Sequence, residues 1–465
     1  MVAFISLIKP KLVPALDADF RPAVLYNHDY RRGVEASGVG VPLVLALERM
    51  DGSISRYELD VYPDSHPRST ENNFYIERIL KFLLWQRGGW KVYIGGPRSI
   101  GNHIKDTYSP DGVRTFDFHF MGEDVYERTF TVIPCEVADV PSAHETEKRL
   151  GGHLDGCRIG FDLGASDLKV SAVIDGEAVF SKEIVWEPRV QNDPGYHKEK
   201  IREALDEATS KMPRVDAIGG SSAGVYINNR PMIASLFRGI PKERFDEVRS
   251  MFIDLRQEMG VPLEIVNDGE VTALAGAMSL EDNGVLGIAM GSSEAAGYIT
   301  MGGKITDWLD ELAFAPIDYN PHAPVDEWSG DVGCGALYFS QQCVFRLAPE
   351  VGITLPIDVT DAEKLKYVQN GLEAGHDGAE KIWRSIGTYL GYALAHYADF
   401  YDLKHVLILG RVTSGKGGPI ILVGAKEVLE LEFPGLAAQV NIQLPDEKSR
   451  RVGQSIAAAS LPSLS

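Results

Sequence analysis

Residues 157–222 constrain the fold most. CRIGFDLGASDLKVSAVIDGEAVFSKEIVW holds three apolar stretches, parted at Gly164 and at Asp175-Gly176. RIGFDL breaks at a glycine, and Asp-Gly is a strong hairpin signal, so the segment reads as three successive strands. A polar loop with two prolines follows. It leads into EKIREALDEATSKM, where Ile201, Leu205, Ala208 and Met212 recur at helical spacing. After Pro213, VDAIGG reads as a short buried strand ending in glycines. The predicted order is strand, strand, strand, helix, strand.

A second block continues the alternation. PKERFDEVRSMFIDLRQEMG is a helix stopped at Gly260, PLEIVND a strand with a polar end, and EVTALAGAMSL a small-residue helix. VLGIAMGSSEAAGYITMGGKIT gives strand, Gly/Ser loop, strand and Gly-Gly turn. EKIWRSIGTYLGYALAHYADFY is a long amphipathic helix, followed by the strand HVLILG, the loop RVTSGKGG and a closing helix, SRRVGQSIAAASL.

Five stretches carry chemistry. Asp162-Leu163-Gly164-Ala165-Ser166 puts a carboxylate and a hydroxyl beside a glycine turn, which suits phosphate oxygens and a Mg²⁺ shell. Asn267-Asp268 ends a strand; a carboxylate there serves as a general base or, alternatively, caps the helix that follows. Gly291-Ser292-Ser293-Glu294-Ala295-Ala296-Gly297 is a second Gly/Ser loop. Gly410-Arg411-Val412-Thr413-Ser414-Gly415 follows a long helix and an apolar strand, and its Gly-Lys lacks Walker spacing. Glu311-Leu312-Ala313-Phe314 precedes Glu327-Trp328-Ser329-Gly330-Asp331-Val332-Gly333-Cys334.

Taken together and in this order, the motifs resemble those of the ROK family (repressors, open reading frames and kinases). That family lies within the sugar kinase, actin and heat-shock chaperone superfamily. The resemblance covers roughly residues 157–465. It implies a two-lobed actin/hexokinase-like α/β fold with repeated βββαβα units. It also implies an ATP-dependent sugar or polyol kinase, with Asp268 as base and Asn267 and Glu311 as sugar ligands. Ser221 and Ser222, in the Ser221-Ser222-Ala223-Gly224 loop, stand beside the sugar or merely cap a turn. Asp162, Gly164, Ser166, Lys169, Gly291, Ser292, Ser293, Gly410, Ser414 and Gly415 would hold the nucleotide, with Asp162 on Mg²⁺.

The departures matter. Ala165 and Ser166 replace Gly and Thr of the first loop, and Ser293 and Ala295 replace glycines of the second. Glu294 adds an anion that would repel phosphate unless it points away or meets Mg²⁺. Zinc-bearing members carry Glu-x-Gly-His and a Cys-x-Cys-Gly-x-x-Gly-Cys cluster. Here the His is Phe314, and two of the three Cys positions are Glu327 and Ser329. One thiolate cannot close a structural zinc site, so no zinc is expected. Phe314 would give the sugar an apolar wall. These changes keep open a non-catalytic carbohydrate- or nucleotide-binding protein of kinase ancestry.

Residues 1–155 fall outside the family pattern. RPAVLYNHD, VPLVLALERMDG and SISRYELDVYP read as three strands, TENNFYIERILKFLLWQR as a helix and WKVYIGGP as a strand. Asp51 and Asp175, like the Ile-Gly-Gly at 94 and 218, are 124 residues apart. The segment is therefore expected to be an accessory α/β domain, and the matched spacing reads either as a degenerate copy of the βββαβ unit or as a coincidence of common turn pairs. Residues 156–283 and 284–465 would be the two lobes, the last helix packing back on the first lobe.

Charge narrows the partners. The formal charge is −20, with −3 in residues 1–150 and −17 in the other 315. This weighs against a basic DNA-binding head, such as a repressor of the family would need, and binding to nucleic acid or an anionic membrane is not expected. No run approaches a membrane span, the start lacks signal-peptide order, and four dispersed cysteines make no disulfide scaffold. A cytoplasmic protein, with a homodimer as the commonest assembly, is the expectation.

Overall fold

The computed structural model describes residues 8–464 except 146, 149, 165 and 446, with backbone alone at 51, 147, 148 and 447–452. Three sheets organise it. The first lobe has five strands in the spatial order Leu263–Asn267, Ala217–Ser222, Cys157–Leu163, Asp167–Ile174, Glu177–Val185. The last three form an antiparallel meander joined at the Asp175-Gly176 turn, and the first two add parallel strands. Asp175 adopts φ 47° and Gly176 φ 84°, the left-handed pair such a tight turn needs.

Strand alternation decides what each face of this sheet meets. Ile159, Phe161 and Leu163 join the core under the Pro194–Thr209 and Phe245–Met259 helices. Gly160 and Gly219 face the other way, where the closing helix, Glu447–Ala459, lies so near that a Cβ on either would strike its backbone carbonyls. Asp162 shares that second face with Ser221, its partner in the ladder.

The second lobe repeats the topology. Its order is Asn441–Gln443, His405–Leu409, Val285–Met290, Glu294–Ile299, Ile305–Thr306, with a meander and two parallel additions. Glu147–Lys148, assigned by sequence to the accessory segment, pairs with Ile305–Thr306 at the edge of this sheet. The molecule therefore has the two-lobed α/β architecture of the actin/hexokinase type.

The N-terminal segment does not copy that unit. RPAVLYNHD lies in a helix, Ala23–Ser37, not a strand. Ala23, Tyr26, Asn27, Tyr30 and Val34 are buried at helical spacing, a period too long to show within nine residues. The sheet order is Ile54–Val61, Val41–Glu48, Lys91–Gly95, Thr131–Cys135. Lys91–Gly95 pairs directly with Val41–Glu48, whereas its supposed counterpart in the lobe, Ala217–Ser222, pairs with Cys157–Leu163, a strand for which the N-terminal sheet has no equivalent. The shared spacing is that of two common turn pairs.

This unit shares a continuous core with the second lobe. The helix Glu71–Arg87 is buried on nearly every face. Phe82 stacks on Phe400 with centroids 4.0 Å apart, and Trp85 on Phe314 at 4.3 Å. Among the described residues, no helix is long and apolar enough to cross a membrane.

Candidate active site

Three parallel strands end together in the first lobe. Their register sets Leu163 opposite Ser222, Asp162 opposite Ser221, and Asn267 opposite Ser222. Asn267 is the N-cap of the helix Asp268–Leu280: its Oδ1 accepts the Gly269 N–H at 2.7 Å, and its Nδ2 donates to the Gly224 carbonyl at 2.8 Å. Glu270 closes the capping box by accepting the Asn267 N–H at 3.2 Å. The side chain expected to bind sugar is thus engaged in a cap, the role the sequence offered to Asp268.

Asp268 is released by that arrangement. Its Oδ1 is covered and has no hydrogen-bond partner among the described residues. Burial, and next the nearby Asp162 carboxylate, push its pKa up to about 6. Burial also raises Asp162, against the Ser221 hydroxyl opposite it and, next, the pull of Lys169. The Lys169 Nζ is 3.9 Å from the Asp167 carboxylate. Ser222 Oγ accepts the Tyr226 hydroxyl at 2.7 Å, whereas the buried Ser221 Oγ is directed to the Asp162 carboxylate.

The turn after Asp162 is braced from behind. Gly164 N–H donates to the Asp167 carbonyl at 2.8 Å, and Trp186 Nε1–H to the Gly164 carbonyl at 2.9 Å. Ser166 is left exposed. Ala165, the first departure from the family loop, lies outside the described residues.

In the second lobe, Gly291, Ser292 and Ser293 form the tip of a hairpin, closed by Gly291 N–H to the Ser293 carbonyl at 2.9 Å. Both serines are exposed. Glu294 is turned away from them. It is buried, accepts the Tyr397 hydroxyl at 3.4 Å, and is raised by burial to about 8, so it is neutral at pH 7. The feared repulsion of phosphate is therefore absent at this position. Gly410 has φ 97°, and a Cβ there would strike the Met290 carbonyl. The exposed Gly410, Ser414 and Gly415 loop is thereby seated against the strand that leads into Gly291.

Glu311 comes from a turn held by the accessory unit. Asp310 N–H donates to the Gln86 carbonyl at 2.8 Å, and Glu311 N–H to the Trp85 carbonyl at 2.9 Å. Burial, then Asp268, then Asp310, raise Glu311 to about 8. The Asp268 charge, from the first lobe, is thus felt at Glu311. Phe314, in place of the family histidine, is enclosed by Trp85, Phe116, Phe120 and Trp328.

The segment aligned with the zinc cluster is pinned by ion pairs. Asp331 is buried and meets Arg78 at 3.1 Å, Lys81 at 3.6 Å and Arg114 at 2.7 Å, all from the accessory unit. Among the described residues, no group of three or more His, Cys, Asp or Glu is placed to hold a metal. Nothing in the motifs pointed to the roles of Trp85, Asp331 or Tyr397, because the partners described above lie 103 or more residues away in the chain.

No family model and no curated protein matches the chain. Solved structures do. A ROK hexokinase from Thermus thermophilus superposes with TM-score 0.50 at 17% identity, covering 65% of this chain and 97% of its own. A ROK-family transcriptional regulator, homologous to the E. coli MLC protein, gives TM-score 0.51 at 15% identity, covering 66% of this chain and 79% of its own. At these identities the likeness is one of fold. The chain has the two-lobed fold seen in ROK proteins, kinase and regulator alike, and resembles that family.

Proposed function

We propose that the protein transfers the terminal phosphate of ATP to a hydroxyl of a sugar or sugar-like polyol, with Asp268 as general base. The carrying observation is Asp268 itself: a carboxylate at a strand end with one buried oxygen unpartnered among the described residues, within electrostatic reach of Asp162, with its pKa pushed up to about 6. A base of that pKa is ionised at neutral pH yet basic enough to take a proton as the hydroxyl oxygen attacks. Ser166, Ser292 and Ser293 would hold phosphate oxygens, and Gly410, Ser414 and Gly415 the adenosine.

The donor set suits Mg²⁺, which one or two carboxylates plus substrate phosphates commonly hold; Asp162 is the carboxylate in place. Bound MgATP would supply the transferable phosphoryl group and neutralise its charge. Glu311, protonated at pH 7, would donate a hydrogen bond to a sugar oxygen. Ser221 would offer its hydroxyl to another. Closure of the lobes would exclude water.

A second reading is a binding protein without catalysis. The Gly291 amide is used within its own hairpin, and serines replace glycines around it. A MgATP assay over a broad sugar panel, with Asp268→Asn beside the native protein, tests the kinase. Transfer lost in that variant supports it. No transfer to any sugar, with sugar binding intact by calorimetry, favours the second reading.

A further inference from the structure

Two arginines near the first phosphate-type loop have no carboxylate partner. Arg189 lies in the Pro188–Val190 turn, and Arg238 directly follows the Ser235–Phe237 turn. Neighbouring cations are paired: Arg230 with Glu127, Arg244 with Asp193 and Glu247, Arg249 with Glu127 and Asp246. Arg189 only donates to Ser235 Oγ at 3.4 Å, and its Nε is buried without a partner among the described residues. Arg238 makes no ion pair among them either. In a chain of charge −20, two adjacent unneutralised guanidiniums are out of keeping. Burial and then Arg238 depress the Arg189 pKa, which marks their mutual repulsion.

The two turns are held side by side. One buried imidazole, His197, lies with its Nε2 3.1 Å from the Pro188 carbonyl and 3.2 Å from the Leu236 carbonyl. A Cβ on Gly239 would strike the Gln191 carbonyl, so the chain passes close there. Between the turns is a hollow of about 300 Å³, lined by Ser166, Trp186, Glu187, Arg189, Val190 and Arg238. Ser166 is the hydroxyl of the Asp162–Ser166 loop. Glu187, exposed and without an ion pair among the described residues, is the carboxylate on this lining.

We infer that this hollow is an oxyanion site for a phosphate group, gripped by the Arg189 and Arg238 guanidiniums and the Ser166 hydroxyl. Guanidiniums match phosphate oxygens with forked, charge-assisted hydrogen bonds. An anion there would also relieve the repulsion between the two cations. The phosphate belongs either to a phosphoryl donor's anhydride tail or to a phosphorylated acceptor. The inference rests on the hollow alone and stands whether or not Asp268 supports transfer.

Calorimetry at low ionic strength tests it, using the full chain with tripolyphosphate and with glucose 6-phosphate. The native protein is expected to bind at least one of them. Arg189→Gln/Arg238→Gln should weaken that binding about tenfold per guanidinium removed, from the typical strength of a hydrogen bond to a charged group. Glu187→Gln should tighten it, and Lys426→Gln, a charge change on the exposed face of the Gly417–Glu432 helix in the other lobe, should leave it alone. Loss confined to tripolyphosphate identifies the donor, and loss confined to glucose 6-phosphate the acceptor. Binding unchanged in the double variant, or neither compound bound by the native protein, overturns the inference. Asp268→Asn should retain this binding even as transfer disappears, which separates the two proposals.

Discussion

Asp331→Asn should destabilise the protein by about 3 kcal/mol, because it unbalances a buried charge cluster. The cluster holds three cations, Arg78, Lys81 and Arg114, and three carboxylates, Glu77, Asp117 and Asp331. The asparagine keeps the shape and can still accept the Val332 N–H that Asp331 now accepts at 2.9 Å. What it removes is one negative charge, leaving a buried net positive one. Breaking a buried pair costs about 3–5 kcal/mol. Here each cation retains a second carboxylate: Arg78 keeps Glu77 at 2.5 Å, Lys81 keeps Asp117 at 2.7 Å and Arg114 keeps Glu77 at 2.6 Å. That places the effect at the lower end.

The cost should have a functional echo. Ile317 N–H donates to the Gly333 carbonyl at 2.9 Å, and Gly335 N–H to the Ala315 carbonyl at 3.0 Å, so the Asp331 segment braces the turn that carries Glu311. Urea unfolding followed by tryptophan fluorescence gives the stability, since Trp85 and Trp328 flank the region. Adding Arg114→Met to Asp331→Asn restores charge balance and should recover more than half of the loss. A loss under about 1 kcal/mol, of the size expected for exposed pairs, refutes the reasoning. So does a double variant no more stable than the single one.

Glu294→Gln should make stability less dependent on pH. Glu294 is raised from 4.5 to about 8, so the folded state holds a proton that the unfolded state has lost, and stability falls as pH rises between those values. The fall for one such group is at most about 1.4 kcal/mol per pH unit, and thermal melts should show the variant gaining on the native protein at pH 8 but not at pH 4.5. If Asp268 is the base, kcat/KM should climb with pH through about 6 and then level, because its carboxylate is protonated below that value; a flat profile there removes Asp268 from the role. Trp85→Ala should cost about 3–5 kcal/mol in the same urea titration by removing the ring stacked on Phe314, whereas Trp85→Phe should restore most of it.

Much of the strand, turn and helix order of residues 157–465 was legible because it is local, although the Asp361–Glu373 and Gly417–Glu432 helices went unread. Asp-Gly turns, Gly260 after a periodic helix and polar residues at strand ends are signals carried within about ten neighbours. The same locality exposed the Asp162, Asp268, Gly291 and Gly410 stretches. It failed where the pattern was too short, as in RPAVLYNHD, where a helix period of buried residues extends to Val34. It also failed where spacing coincided without topology, as with the two Asp-Gly turns.

The sequence by itself determined two alternating α/β lobes, their order, and which carboxylates and hydroxyls stand at strand ends. Tertiary structure decided what those groups do. It made Asn267 the cap and left one Asp268 oxygen, Oδ1, unpartnered among the described residues, turned Glu294 inward as a neutral acid, and brought Asp331 to three cations more than 200 residues away. It also gathered Arg189 and Arg238 about one hollow. Burial and the company of distant charges set a group's ionisation and its free valences, and neither is written in the neighbouring residues.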